Sequence, residues 1–329
     1  MGKTTIEWTD ASWNPVTGCK EISPGCANCY AARLAATRLK NHPDYKGLAI
    51  NQNLSGQDLL HQSTQRWTGE VRLHPDRLEE PLHWRKPRKI FVCDMSDLFH
   101  EDVPKLFICK IFDVIARCPQ HTFQILTKRP KDMLAFFNAA LLDIGDAVKS
   151  HPQLTPQQLR VGIGTTCNWP LPNVWLGTSV EHQHFADERI PFLLQTPAAV
   201  RFLSCEPLLG PVNLLRAGLG PKMPNDAAGW LHWVICGGES GPGARPMHPD
   251  WARSLRDQCQ AAGVPFFFKQ WGEWFPLGQV QKHDDPKPKR NTVIREFSVH
   301  DKQLVASFGK KASGRRLDGR EWNEFPSSF

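Results

Sequence analysis

Short apolar runs alternate along this chain with longer amphipathic stretches. The runs Thr4–Trp8, Glu70–Leu73, Lys89–Cys93, Thr122–Leu126, Val174–Gly177, Val200–Ser204, Trp233–Cys236 and Pro265–Phe268 predict strands. Most are continuously apolar, the pattern of strands covered on both faces. Between them, Lys105–Cys118, Pro130–Leu142 and Asp250–Ala262 predict helices. In the last of these Trp251, Leu255, Cys259 and Ala262 share a face, and Gly263 supplies the stop. Strand and helix in alternation predict an α/β protein built of parallel βα units. Up to eight units predict a full or partial parallel (βα) barrel of TIM type. A doubly wound open sheet is the alternative that periodicity does not separate.

Two polar stretches interrupt the pattern as insertions, about 41–67 and 150–172. Asp284–Arg290 reads as an exposed linker. The domain reading is therefore a barrel over 1–277 and a basic C-terminal extension over 278–329. From Gln281 to Phe329 there are eleven Lys/Arg against seven Asp/Glu, a net of +4 within a chain total of +7. That balance suits a nucleic-acid or phosphorylated partner, and equally an ordinary basic surface.

No apolar run approaches the roughly 20 residues of a membrane span, and the first residues lack an apolar signal core. The expectation is a cytoplasmic protein with no membrane contact. Ten cysteines in such a chain point to metal or redox chemistry rather than to disulfides.

Three of those cysteines stand together. Cys19 follows Asn14-Pro15-Val16-Thr17-Gly18, and Cys26 and Cys29 follow in Ser23-Pro24-Gly25-Cys26-Ala27-Asn28-Cys29-Tyr30. Three thiolates with no obvious fourth can hold three corners of a [4Fe-4S] cluster and leave one iron open, the plain alternative being buried cysteines without a metal. The residues after Cys29 turn helical, which sets the third ligand at a helix N-terminus, where partial positive charge favours an anionic cluster. Zinc is the competing metal. A structural zinc site is closed by a fourth ligand, for which His42 and His61 are the candidates.

The stretch resembles the radical S-adenosylmethionine superfamily, in three cysteines on one loop after the first strand, ending Cys26-x2-Cys29-Tyr30. Its first gap holds six residues where that superfamily commonly has three. More closely, the chain is similar to the phage-borne three-Cys-motif proteins. The matching residues are Ile6-Glu7-Trp8-Thr9-Asp10, Trp13-Asn14-Pro15, Gly18-Cys19, Ser23-Pro24-Gly25-Cys26, Cys29-Tyr30 and Gly319-Arg320-Glu321-Trp322. The superfamily resemblance implies a barrel enzyme holding a [4Fe-4S] cluster and S-adenosyl-L-methionine. An outside reductant feeds the cluster, and a 5′-deoxyadenosyl radical takes hydrogen from the substrate.

In a parallel barrel the chemistry sits at the C-terminal strand ends. Those ends are polar here: Asp94, Ser96 and Asp97; Lys128 and Arg129; Ser179 and Glu181; Ser204 and Glu206; Gly237, Gly238, Glu239 and Ser240; Lys269 and Gln270. If the cofactor is S-adenosylmethionine, Lys128 and Arg129 are candidates for its carboxylate and Glu181 or Glu206 for its ribose. Glu239 is the candidate for its amino group, with Gly237, Gly238 and Tyr30 nearby. The superfamily's Gly-Gly-Glu segment follows the second strand, whereas this one follows a strand near the seventh place.

The substrate is open. Lys310, Lys311, Arg315 and Arg316 are candidate phosphate contacts, and Trp13, Trp67, Trp169 and Trp271 candidate stacking groups for a nucleic acid or nucleotide. The reading from a different class is a non-catalytic phage accessory protein, stabilised by zinc or an Fe–S cluster and binding nucleic acid or a partner protein.

Overall fold

The computed structural model describes residues 4, 6–51, 65–142, 169–215, 230–278, 286, 292–298 and 300–326. Seven strands form one parallel sheet: β1 Ala11–Trp13, β2 Lys89–Val92, β3 Thr122–Thr127, β4 Val174–Ser179, β5 Val200–Cys205, β6 Trp233–Gly237 and β7 Phe266–Gln270. Neighbours in the sheet are neighbours in the chain. That is the order of a barrel; a doubly wound sheet reverses its order at a switch point.

The curl of the sheet follows from ring contacts. Trp8 lies 4.8 Å from Phe91 on β2, 6.3 Å from Phe202 on β5 and 6.2 Å from Trp233 on β6. In a flat sheet β2 and β6 would stand about 19 Å apart, four strand spacings. The sheet is therefore a partial barrel, and Trp8 fills its interior. Gly177 on β4 makes room for this filling, because a Cβ there would stand 2.6 Å from the Phe202 ring.

Both faces of the strands are apolar, which hides the two-residue period. Phe91, Trp175, Phe202, Trp233 and Phe267 pack inward with Trp8. Ile90, Val92, Ile125, Leu176, Val234 and Phe268 pack outward in the larger core. Helices α1 Tyr30–Ala36, α2 Lys105–Ala116, α3 Pro130–Leu142, α4 Gln183–Gln195 and α5 Pro249–Ala262 connect the strands. Gly263 closes α5 in the left-handed conformation, φ 65°, as its sequence predicts.

Two predicted strands lie elsewhere. In the run Thr4–Trp8 the barrel strand is displaced to Ala11–Trp13, and Ile6 and Trp8 are apolar because they pack inside the barrel. In Glu70–Leu73, Arg72–Leu73 pairs antiparallel with Val16–Thr17, outside the main sheet. Among the described residues seven strands form the sheet, within the expectation of up to eight units.

Of the first insertion, Ala49–Asn51 and Gln65–Trp67 pair antiparallel, and 52–64, with His61, lies outside the described residues. Residues 150–168 of the second lie outside them too, as does Asp284–Arg290 apart from Pro286. The C-terminal residues return to the barrel. Phe268 N donates to Trp322 O at 2.9 Å and Asn323 bridges Phe267, so the chain covers the edge of β7. Phe325 packs on Trp233 at 5.0 Å and lies under Lys89 of β2 at 4.1 Å. Among the described residues no helix is long and apolar enough to cross a membrane.

Candidate functional site

A cavity of about 1200 Å³, counting its open mouth, lies over the C-terminal strand ends. Ile6, Trp8, Phe91 and Leu126 give it an apolar floor. All six polar strand ends named from the sequence contribute to its wall. Cys19, Cys26 and Cys29 line it as well.

The cysteines are carried by one loop that crosses the mouth. Gly18 enters it with φ 88°, and a Cβ there would overlap Glu70 O, so the position requires glycine. Its N–H donates to Met95 O at 3.2 Å, just past β2. Pro24–Cys26 forms a turn of 3₁₀ helix. Cys29 then caps α1, the helix predicted after it, whose Ala31, Ala32, Ala35 and Ala36 are buried. Small side chains on that face let the helix approach the hairpin ending at Trp67.

Asp97, Glu206 and Glu239 line the cavity and Glu181 stands behind its wall, all of them paired with cations. Asp97 pairs with Arg129 at 3.1 Å and accepts from Thr127 Oγ1 at 2.7 Å. Glu181 lies between Lys128, at 3.2 Å, and Arg189, at 2.9 Å. Glu206 pairs with Lys269 at 2.8 Å, and Glu239 with Arg245 at 2.6 Å. Burial alone would raise the Glu181 carboxyl; Lys128, then Arg189, outweigh it and hold the group below its ordinary 4.5. Asp94 is held above its ordinary value by burial, against hydrogen bonds from Asn14 and Ser12.

The thiols respond to the same surroundings. Burial, then Asp97, push Cys19 up to about 12, against the nearby Arg129. Burial also raises Cys29, while the N–H groups of Ala32 and Ala31 and the Trp67 side chain act the other way. Arg129 NH1 faces Cys19 Sγ at 3.9 Å, and its NH2 donates to Lys20 O at 3.1 Å. Among the described residues no three His, Cys, Asp or Glu side chains are drawn together as ligands of one ion. His42 contacts Asp44 at 3.2 Å and does not line the cavity. The donor set fits a cluster in kind: three sulfurs on one wall, beside the cations Arg129 and Lys128.

The remaining sequence candidates divide. Tyr30, Lys128, Arg129, Glu206, Gly238 and Glu239 line the cavity, and Tyr30 OH donates to Asp94 O at 2.7 Å. Glu181 is fully buried behind Gly25 and Ser23, and Gly237 backs Glu206. Lys310, Lys311, Arg315 and Arg316 are not among the lining residues. Lys310 pairs with Glu7 at 3.1 Å, and Arg315 lies over Phe267 at 5.0 Å and bonds Asn323. Trp13 and Trp271 are core residues, and Trp169 stacks on Phe137 at 4.5 Å. Of the cysteines near strand ends, Cys205 and Cys236 face the outer core; Cys93 lines the cavity with φ 62°.

Sequence reasoning passed over Ser23, Asn28, Arg189 and Arg245. Only Arg189 left a signal: it shares the buried face of α4 with Phe185, Ala186, Ile190 and Leu193. A charge on an apolar helix face requires a buried partner.

Fold and site together define an α/β protein with a partial parallel barrel and a charged, cysteine-lined mouth. The chain belongs to the family described as "Protein of unknown function (DUF5131)", whose model matches residues 3–326. Searches of curated proteins and of solved structures give no match.

Proposed function

We propose that the protein is an iron–sulfur enzyme of the radical S-adenosylmethionine type, with Cys19, Cys26 and Cys29 as cluster ligands. One observation carries this reading: three cysteines of one loop line a single cavity at the C-terminal ends of a parallel barrel. When bound, such a cluster supplies one electron and an open iron site, and S-adenosyl-L-methionine the group that becomes reactive.

This chain's residues do the rest. Arg129 and Lys128 stand beside the sulfurs, each held by a carboxylate, Asp97 and Glu181, that balances its charge. A cysteine thiol is protonated at neutral pH and burial raises Cys19 further, so loading the site would release protons and be favoured as pH rises. Ile6, Trp8, Phe91 and Leu126 keep water from the cavity floor, which protects a reactive species from solvent. Glu206 and Lys269 face the same cavity as a fixed acceptor and donor for a ligand.

The test is electron paramagnetic resonance on anaerobically reconstituted, reduced protein, with and without S-adenosylmethionine. A four-iron signal that shifts with the cofactor is expected. A four-iron signal indifferent to it would leave a structural or electron-transfer cluster, and stoichiometric zinc in place of iron would overturn the reading.

A further inference from the structure

We infer that Glu181 and Glu239 are positioning residues that fasten the cysteine loop across the barrel mouth. This rests on the reading of the three cysteines as one ligand set.

The two carboxylates stand at the ends of β4 and β6 and reach the loop on either side of Cys26. Ser23 Oγ donates to Glu181 Oε1 at 2.7 Å. A Cβ at Gly25 would overlap that carboxylate, so glycine lets the loop lie directly on it. On the other side, Asn28 Nδ2 donates to Glu239 Oε2 at 2.8 Å and to Gly243 O at 2.9 Å. Arg245 adds a second link: it is bonded to Glu239, and its NH2 also donates to Pro24 O at 2.9 Å.

Contact with the loop separates these carboxylates from their neighbour. Glu239 Oε2 accepts from Asn28 Nδ2, Arg245 N and Arg245 Nε, and its Oε1 from Arg245 Nη2. Glu181 accepts from Ser23, Lys128 and Arg189 and is fully buried. Glu206 makes contact only with Lys269 and Gln270 among these bonds, neither of them on the loop. Glu181 and Glu239 each carry a bond from the loop, whereas Glu206 carries none. The end of the loop at Cys19 is held separately, by Met95 and Arg129.

The test acts on the loop side, so that the buried Glu181 triad stays intact. Ser23→Ala, Asn28→Ala and the double variant are compared with wild type as metal-free proteins. Iodoacetamide alkylation is read cysteine by cysteine by mass spectrometry. Loss of the Asn28 bond to a charged acceptor is expected to speed Cys26 alkylation about tenfold, and Ser23→Ala, which also removes the contact of Ser23 Oγ with Cys26 Sγ at 3.7 Å, at least as much. Cys19 is expected to stay within about twofold, since its contacts are elsewhere, and Ser23→Thr to restore the wild-type rate. Cys205, Cys236 and Cys259, all buried in the outer core, report general loosening and are expected to stay protected. An unchanged Cys26 rate in the double variant would overturn the inference, as would all cysteines speeding up together. Because metal-free protein is measured, absence of iron binding would defeat the proposed function without touching this result.

Discussion

Trp8→Ala tests the feature on which both the curl of the sheet and the floor of the cavity depend. The side chain is 2 % exposed and contacts rings on β2, β5 and β6. A buried indole removes about 200 Å² from water, which at about 25 cal/mol/Å² is about 5 kcal/mol. Truncations of buried Phe and Trp cost about 3–5 kcal/mol once partial relaxation is counted, so that range is expected here. For a chain of this size, about 2 °C of melting temperature is lost per kcal/mol, which gives a fall of about 6–10 °C by calorimetry. The void is apolar and flat, so added indole is expected to refill it. At about 100 times its dissociation constant, indole would restore about 2.7 kcal/mol, from about half to about nine-tenths of the loss. A fall below about 2 °C, with no response to indole, would mean that the N-terminal segment does not fill the barrel. The argument for curl from ring distances would then fail.

Cys19→Ala, Cys26→Ala and Cys29→Ala are each expected to abolish iron retention after reconstitution, whereas Cys259→Ala, in the outer core under α5, is expected to keep it; equal iron in all four would remove the ligand assignment. Glu181 is held below 4.5 in the folded protein, so its carboxylate stabilises the fold above that pH, and the contribution is lost as pH falls through the depressed value. Glu181→Gln is accordingly expected to cost about 3–5 kcal/mol at pH 7, by leaving Lys128 and Arg189 unpaired. Thermal melts should show that gap narrowing below pH 4.5, and a constant gap down to pH 3 would refute the pairing. Deleting 322–329 uncovers the edge of β7 and the Trp233 and Phe267 rings. Light scattering should then detect association, and an unaggregated protein with an unchanged melt would show that the edge needs no cover.

The sequence by itself determined the α/β class, six of the seven barrel strands to within a residue or two, the stop of α5 at Gly263, and the loop and helix around Cys26 and Cys29. These features are local. Apolar runs, caps and turn residues act through neighbours in the chain, and the polar strand ends meet because parallel strands present their C-terminal ends to one rim. Tertiary structure alone decided which apolar run enters the sheet and which fills it. Ile6 and Trp8 read as strand residues because a barrel interior and a sheet interior ask for the same side chains. It also decided that Leu73 pairs with Val16 outside the barrel, since two residues carry too little pattern to name a partner. Above all it decided which charges meet. Glu181 and Ser23 are 158 positions apart, and Glu239 and Asn28 are 211 apart. A carboxylate that will be bonded by such a distant donor looks, along the chain, the same as one left open to a ligand.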